Sequence, residues 1–470
     1  MRGVPRGKRV ESVTEQKFKW LIIGAGPTGL AAAHRLRQAG EKDILVLEKE
    51  SRPGGLSASF LDEQGFTWDL GGHVFFSHYA AYDRLLDETI PARAWHRHRQ
   101  AAWIRRSNSL IPYPFQLHVG WLPEREREAC LRGLRDLPSP PPPAENFHEW
   151  ILTRFGRGIA ELFMEPYNRN LWACPTEKMG VYWLGDRVAL PSPRMLAAGT
   201  REQWGPNREF RFPPQGGTGS IWSALADSLG RATVRCGQEV QRIDLADRRV
   251  VLGDGNSVQG EHILSTMPLD ELARRTGMGS DLFPYLSSDL RRSPIAVVGL
   301  GIEGPRPQRL EEFTWMYFPE SLTRIYRVTD FGRYSPANVP DPGKNWSLLI
   351  EAASLGEKVS LPEVTAAVEV DLAGYGLLPV GARIVSRWAR LVPYGYPVPT
   401  LTRERTRLPL LSRLEGQGIF SRGRFGAWCY EVGNMDHSAM QGVEWAERML
   451  GGGPEVTLSD PSLVNSGKFG

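Results

Sequence analysis

The run Leu21-Ile22-Ile23-Gly24-Ala25-Gly26-Pro27-Thr28-Gly29-Leu30, followed by Ile44-Leu45-Val46-Leu47-Glu48, constrains this chain more than any other feature. The apolar stretch from Phe18 to Ile23 suits a buried parallel strand. Gly24 lets the chain turn tightly, Gly26 lets backbone approach a pyrophosphate, and Gly29 lets the next helix pack on the strand. The N–H groups that open such a helix face phosphate oxygens with a favourable dipole. Glu48 ends the second strand roughly 20 residues on, where a carboxylate accepts both hydroxyls of a ribose. A glycine triplet alone is a weak signal. Between two strands, with the acid in position, it predicts a dinucleotide-binding unit of an α/β fold.

Just beyond Glu48 stand Arg52, Gly54 and Gly55, where small residues let a loop lie against a cofactor. That extension resembles FAD-binding flavoproteins of the amine-oxidase superfamily. It implies FAD held by Gly24, Gly26, Gly29, Glu48, Arg52, Gly54 and Gly55. An NAD unit with a Pro-Gly-Gly turn is the alternative these residues leave.

With 470 residues, 41% of them apolar, the chain can build two or three packed units. Its 57 basic and 53 acidic side chains leave a net charge of only +4, with arginines scattered rather than clustered. Neither a nucleic-acid nor a membrane partner is expected. Cys130, Cys174, Cys236 and Cys429 lie far apart without a C-x-x-C pair, so no metal site and no disulfide framework is expected. These features predict a reduced, cytoplasmic setting. The basic, polar start lacks the apolar core of a signal peptide, and residues 1–18 read as a disordered tail.

Consecutive prolines make the segment from Leu134 to Ala144 extended, and helical patterns flank it. Gly216-Gly217-Thr218-Gly219 opens a second cofactor-domain stretch with several short strands. Strand-like runs dominate from Ile295 to about Trp388, and glycine-rich sequence returns at 416–442. The expected architecture is a Rossmann-type FAD-binding domain assembled from residues 19–105, 206–275 and 418–450. A mainly helical domain (106–205) and a mixed-sheet substrate domain (276–417) are inserted, and 451–470 form a C-terminal tail.

Several segments carry candidate chemistry. In Asp69-Leu70-Gly71-Gly72-His73, adjacent glycines remove the side-chain wall beside a planar ring, which His73 could then touch. Ile111-Pro112-Tyr113-Pro114-Phe115-Gln116 is a stiff aromatic segment with hydrogen-bonding ends. Residues 163–172 supply aromatic planes with an amide between them, a set that stacks on a nucleobase or fills a core. Arg187, Arg327 and Arg424 have apolar neighbours, as buried anion sites require, and a guanidinium fork makes two parallel bonds to phosphate. Tyr430 to Ser438 precedes a helix expected from about Ala439 to Leu450, whose dipole would aim at a flavin's carbonyl edge.

Taken together, residues 69–79, 111–116, 163–191, 315–320, 325–336, 394–405 and 420–438 resemble the UDP-galactopyranose mutase family, especially its longer, eukaryotic-type members. The likeness runs from Leu21 to about Glu444. It implies a reduced-FAD enzyme that interconverts pyranose and furanose forms of a nucleotide sugar through a flavin N5-sugar adduct, without net redox change. By the same resemblance Arg187, Arg327 and Arg424 clamp the diphosphate, and Tyr317, Tyr396, Tyr430 and Asn434 surround it. Tyr113, Gln116, Phe163, Asn168 and Trp172 match the nucleotide region. Gly72, His73, His78 and Met435 match positions beside the flavin. Gln100 and Ala102 stand where the eukaryotic members carry an Arg-x-Ser pattern toward NADPH, so the external reductant stays open. Cys429 replaces a basic residue of the family. The same scaffold acting on a different nucleotide sugar, or a net FAD-dependent oxidase or desaturase, are the alternatives; the oligomeric state is open.

Overall fold

Alternation along two neighbouring strands decides the first layer. In Gln16–Ile23 and Ile44–Glu48, Trp20, Ile22, Ile44 and Val46 enter one apolar cluster while Leu21, Ile23, Leu45 and Leu47 enter another. A strand apolar on both faces must sit inside a covered sheet. The computed structural model, which describes residues 16–107, 109–191, 204–310, 313–320, 325–353 and 359–467, places them there. Strand order is Val240–Asp244, Arg249–Leu252, Ser257–Ser265, Gln16–Ile23, Ile44–Glu48, Val234–Cys236, with Ile419–Ser421 also beside Ser257–Ser265. The pairings around the glycine turn are parallel. Helices Pro27–Gln38, Gly219–Leu229 and Met435–Gly451 cover one face, and Leu269–Thr276 with Arg403–Glu415 the other.

A second seven-stranded sheet runs Arg383–Pro397, Arg292–Glu303, Asn345–Ala353, Ile325–Asp330, Trp315–Tyr317, Ala102–Arg106, Ser109–Pro112. It is antiparallel except where Trp315–Tyr317 pairs with Ala102–Arg106. Helix Leu361–Gly374 packs on one face. The other meets the helical unit, Glu124–Arg135, Phe147–Ile159 and Glu165–Trp172. A π-helical turn, Ala160–Met164, joins the last two and carries Phe163.

Four sequence expectations are corrected. The first strand starts at Gln16, inside the expected tail; residues 1–15 lie outside the described residues. The strand Ala102–Arg106 joins the second sheet rather than the cofactor unit, because its partner Trp315–Tyr317 is more than 200 residues away. The last long helix begins at Met435, with Asp436 in its first turn favouring the dipole. The segment expected as a C-terminal tail packs on the body among its described residues: Val456–Ser459 and Pro461–Asn465 are helical, and Val464 is fully buried in the core.

Candidate active site

The glycine turn builds a cradle from backbone. Helix Pro27–Gln38 starts at Gly26 without a side-chain cap, so its first N–H groups are presented to an anion. A Cβ on Gly29 would lie 2.0 Å from the Gly24 carbonyl oxygen, which is why the helix can sit this close. Glu48 accepts the Ala25 N–H at 2.7 Å and the Glu50 N–H at 2.9 Å. Burial raises its pKa, and these two donors oppose that. The Gly54 N–H donates to the Ala25 carbonyl at 2.8 Å, bringing the Gly54-Gly55 loop against Gly26. Uncapped amides next to an anchored carboxylate fit the pyrophosphate and ribose of a dinucleotide. Arg52 donates to the Ser59 carbonyl at 3.0 Å and lies over Phe60.

The Gly71-Gly72-His73 turn abuts the second sheet. A Cβ on Gly72 would meet Thr329 Oγ1 at 2.4 Å, and the Gly72 N–H points at Glu351 Oε2, 3.4 Å away. Glu351 is buried and takes both forks of Arg327, through Nε and through Nη2 at 2.7 Å, as well as the Tyr326 hydroxyl at 3.2 Å. Burial works against both charges. The mutual attraction prevails, lowering the Glu351 pKa and lifting that of Arg327 well above its usual value. Burial pushes His73 down to about 4, with Arg327 and Arg424 nearby opposing a further positive charge. Its Nδ1 is buried without a partner among the described residues, as beside a planar ligand. His78 donates its backbone N–H to Asp436 at 3.0 Å, and its Nδ1 lies 2.7 Å from the same oxygen.

Next to this turn opens a cleft of about 280 Å³. Its walls include His78, Tyr113, Gln116, Phe163, Asn168, Trp172, Arg187, Tyr317, Arg327, Tyr396, Tyr430 and Asn434. Ring contacts along it form two groups. Phe115, Phe163 and Tyr167 stack at 5.0 and 5.2 Å, Tyr317 touches both Tyr113 and Tyr167, and Trp172 meets Tyr430 at 4.6 Å. Arg187 lies 5.1 Å from the Tyr430 ring centre and Arg424 5.8 Å, with Arg424 also 5.0 Å from Tyr396. Arg187 donates to the Glu431 carbonyl at 2.6 Å; Arg424 donates to the carbonyls of Gly433 at 2.8 Å and Gly395 at 3.1 Å. Carbonyls orient these two cations without cancelling their charge. Burial lowers the Arg424 pKa, and the charge on Arg187 adds to that.

A family model described as flavin containing amine oxidoreductase matches residues 27–305. A crystal structure of reduced UDP-galactopyranose mutase superposes with a TM-score of 0.90 at 37% identity, covering 97% of this chain and 98% of that one. The chain belongs to the UDP-galactopyranose mutase family. Within the wider superfamily the likeness is local or weak. A zeta-carotene-forming phytoene desaturase from Myxococcus xanthus is 47% identical over 85 residues, 17% of this chain and 16% of the desaturase. Protoporphyrinogen oxidase from Bos taurus is 23% identical over 321 residues, 61% of this chain and 67% of that one. This chain is therefore a flavoenzyme whose cofactor is FAD, and the cradle fits it. No helix among the described residues is long and apolar enough to cross a membrane.

The mutase fold gathers residues that the sequence scatters from Gly24 to Met435, with unequal outcomes. Gln116 donates its amide to the Ala189 carbonyl at 2.9 Å, and its buried Oε1 has no partner among the described residues. Asn168 is consumed internally, donating to Met164 and accepting from the Trp172 indole. Asn434 precedes its helix without capping it and lines the cleft. Met435 packs into the core at the helix start. Gln100 donates to Asn207 at 3.3 Å, and Asn207 is itself a cleft residue.

Sequence reasoning missed Glu351, Tyr167, Trp183, Tyr326 and Asn465. Tyr167 sits inside a segment already singled out, and Trp183 just before Arg187, so both were within reach. Glu351 stands within an apolar strand of the second sheet, where a lone acid on a central strand signals a buried cationic partner. Nothing local marks Asn465.

Proposed function

We propose that this mutase-family protein interconverts the pyranose and furanose forms of a nucleotide-diphosphate sugar, UDP-galactopyranose and UDP-galactofuranose being the default pair. The supporting observation is the meeting of Arg187 and Arg327 on one cleft, with Arg424 behind its tyrosine wall, beside the Gly72-His73 turn. Reduced FAD, when bound, supplies an electron-rich N5 nucleophile for the sugar's anomeric carbon. The protein's share is to hold a leaving group that must return.

Arg187 and Arg424, oriented by carbonyls, carry net positive charge for a diphosphate as its bond to the sugar breaks. Arg327 already shares its charge with Glu351, so its contribution is direction more than attraction. Tyr317, Tyr396 and Tyr430 lie on the same wall, and burial raises the pKa of Tyr317 and Tyr396, which keeps those two hydroxyls protonated. Gln116 Oε1 accepts from an imide N–H, which uracil has and cytosine lacks. His73 is neutral at physiological pH and offers a hydrogen bond rather than a charge.

The test is direct. Dithionite-reduced, FAD-loaded protein incubated with UDP-galactofuranose yields UDP-galactopyranose by anion-exchange chromatography, with the reductant unspent. No interconversion of any nucleotide sugar, or stoichiometric oxygen consumption with substrate oxidation, overturns the proposal.

A further inference from the structure

The C-terminal segment is latched to the molecule at successive points and brings Asn465 to the cleft wall. Glu455 bridges Arg422, through Nε and Nη2, and Arg448, at 2.6 Å. Thr457 donates its N–H and its hydroxyl to Glu444 at 3.0 and 2.7 Å, and shares a hydrogen bond with the Tyr79 hydroxyl at 2.9 Å. Asp460 accepts the Leu463 N–H at 3.0 Å, and Val464 is fully buried. The next residue, Asn465, lines the cleft alongside Arg187.

Asn465 Nδ2 donates to the Glu431 carbonyl at 3.0 Å and to the Pro461 carbonyl at 2.7 Å. The Glu431 carbonyl is also the acceptor for Arg187 Nη2. Its two lone pairs therefore serve one amide and one guanidinium. The following carbonyls are gripped as well, Val432 by Gln441 at 2.8 Å and Gly433 by Arg424 at 2.8 Å. The Glu431 carboxylate is held by Arg403 at 3.0 and 2.7 Å. The loop carrying Tyr430 and Asn434 is thus fixed donor by donor, and Arg187 supplies one of those donors from inside the cleft. Arg187 spends only Nη2 on Glu431, and its buried Nε has no partner among the described residues. Asn465 is the second donor that holds that carbonyl.

We infer that Asn465 is a positioning residue for Arg187 and for the loop from Tyr430 to Asn434, which makes the C-terminal segment a working part of the diphosphate site. This rests on the cleft being a diphosphate site, as proposed above. With Asn465 in place, Arg187 is aimed by a carbonyl that stays still, and Tyr430 remains under the guanidinium.

The experiment measures UDP affinity by calorimetry on the full-length, FAD-loaded protein, with steady-state kinetics in parallel. Asn465→Ala weakens UDP binding and raises KM about tenfold, the loss expected for one hydrogen bond to a charged partner's support. Its kcat changes less than about threefold, and FAD content and Tm hold. Asn465→Asp keeps the volume, removes the donor and adds an anion beside the diphosphate, so it weakens UDP further. In an Arg187→Ala background, Asn465→Ala changes UDP affinity less than about twofold. Ser466→Ala, whose hydroxyl only meets the Leu463 carbonyl, leaves all of these values unchanged. Equal weakening with and without Arg187, or unchanged affinity in both Asn465 variants, overturns the inference alone. Failure of the wild-type protein to bind UDP overturns the diphosphate reading and the inference with it.

Discussion

The cofactor cradle and the cleft proposed for the nucleotide offer anions opposite kinds of partner. The cradle uses backbone: an uncapped helix start, glycines without side-chain walls, and Glu48 tied to two N–H groups within three residues of the turn or strand end. Its parts lie within about 35 residues of sequence. The cleft uses guanidinium groups and rings drawn from segments between Phe76 and Asn465. Within it the three arginines differ as well. Arg327 is paired with the buried carboxylate of Glu351, whereas Arg187 and Arg424 are oriented by carbonyls and form no ion pair among the described residues. The contrast teaches that this fold offers the FAD cradle fixed dipoles, and the cleft proposed for a diphosphate charge held ready.

That comparison breaks most visibly at Arg327. Arg327→Ala lowers turnover about a hundredfold or more, and also destabilises the fold by about 3–5 kcal/mol because Glu351 is left charged and buried. Steady-state rates and thermal melts read the two losses separately. Arg424→Ala costs a similar hundredfold, about 2.7 kcal/mol in the transition state, but strands no carboxylate. Its Tm therefore falls much less than that of Arg327→Ala; equal destabilisation would erase the distinction drawn here.

On the cradle side the effects are smaller. Gly72→Ala forces a Cβ toward Thr329 Oγ1, so a spectrally loaded flavoprotein should lose roughly tenfold in rate, at a packing cost of about 1–3 kcal/mol. Glu48→Gln retains one carbonyl acceptor and loses the charge, weakening FAD about tenfold while UDP binding stays within error. Fluorescence titration of the apoprotein with FAD checks it.

The smallest effect is on pH dependence. Asp69 is held by Ser59 and Thr218, and burial raises its pKa from 3.8 to about 7. Between those values the folded chain keeps a proton that the unfolded chain has released, so this group's contribution to stability falls as pH rises through that window. Asp69→Asn flattens the slope in melts across pH 4 to 7.

The same contrast governs what was legible in the sequence. The turn at Gly24, Gly26 and Gly29 and the acid at Glu48 are local, so their spacing carries their meaning, and the α/β class followed from it. The arginines were found by their apolar neighbours and by resemblance, because Arg187, Arg327 and Arg424 have no shared local pattern. What pairs with them was not legible. Glu351 meets Arg327 only through strand pairing, in which Arg327 lies directly across from it. Asn168 lines the cleft as its segment suggested, but the bonds of its amide to Met164 and Trp172 were not legible. Asn465 came from a stretch with no periodic signal, brought to the cleft by Val464 burying itself.

The most direct test is a crystal structure of the reduced protein with UDP. The account predicts the pyrophosphate within hydrogen-bond reach of Arg187 and Arg327, near the Tyr396 and Tyr430 wall that Arg424 supports, with the base beside Gln116. A nucleotide bound outside this cleft, or a diphosphate that none of the three guanidinium groups approaches, would contradict it.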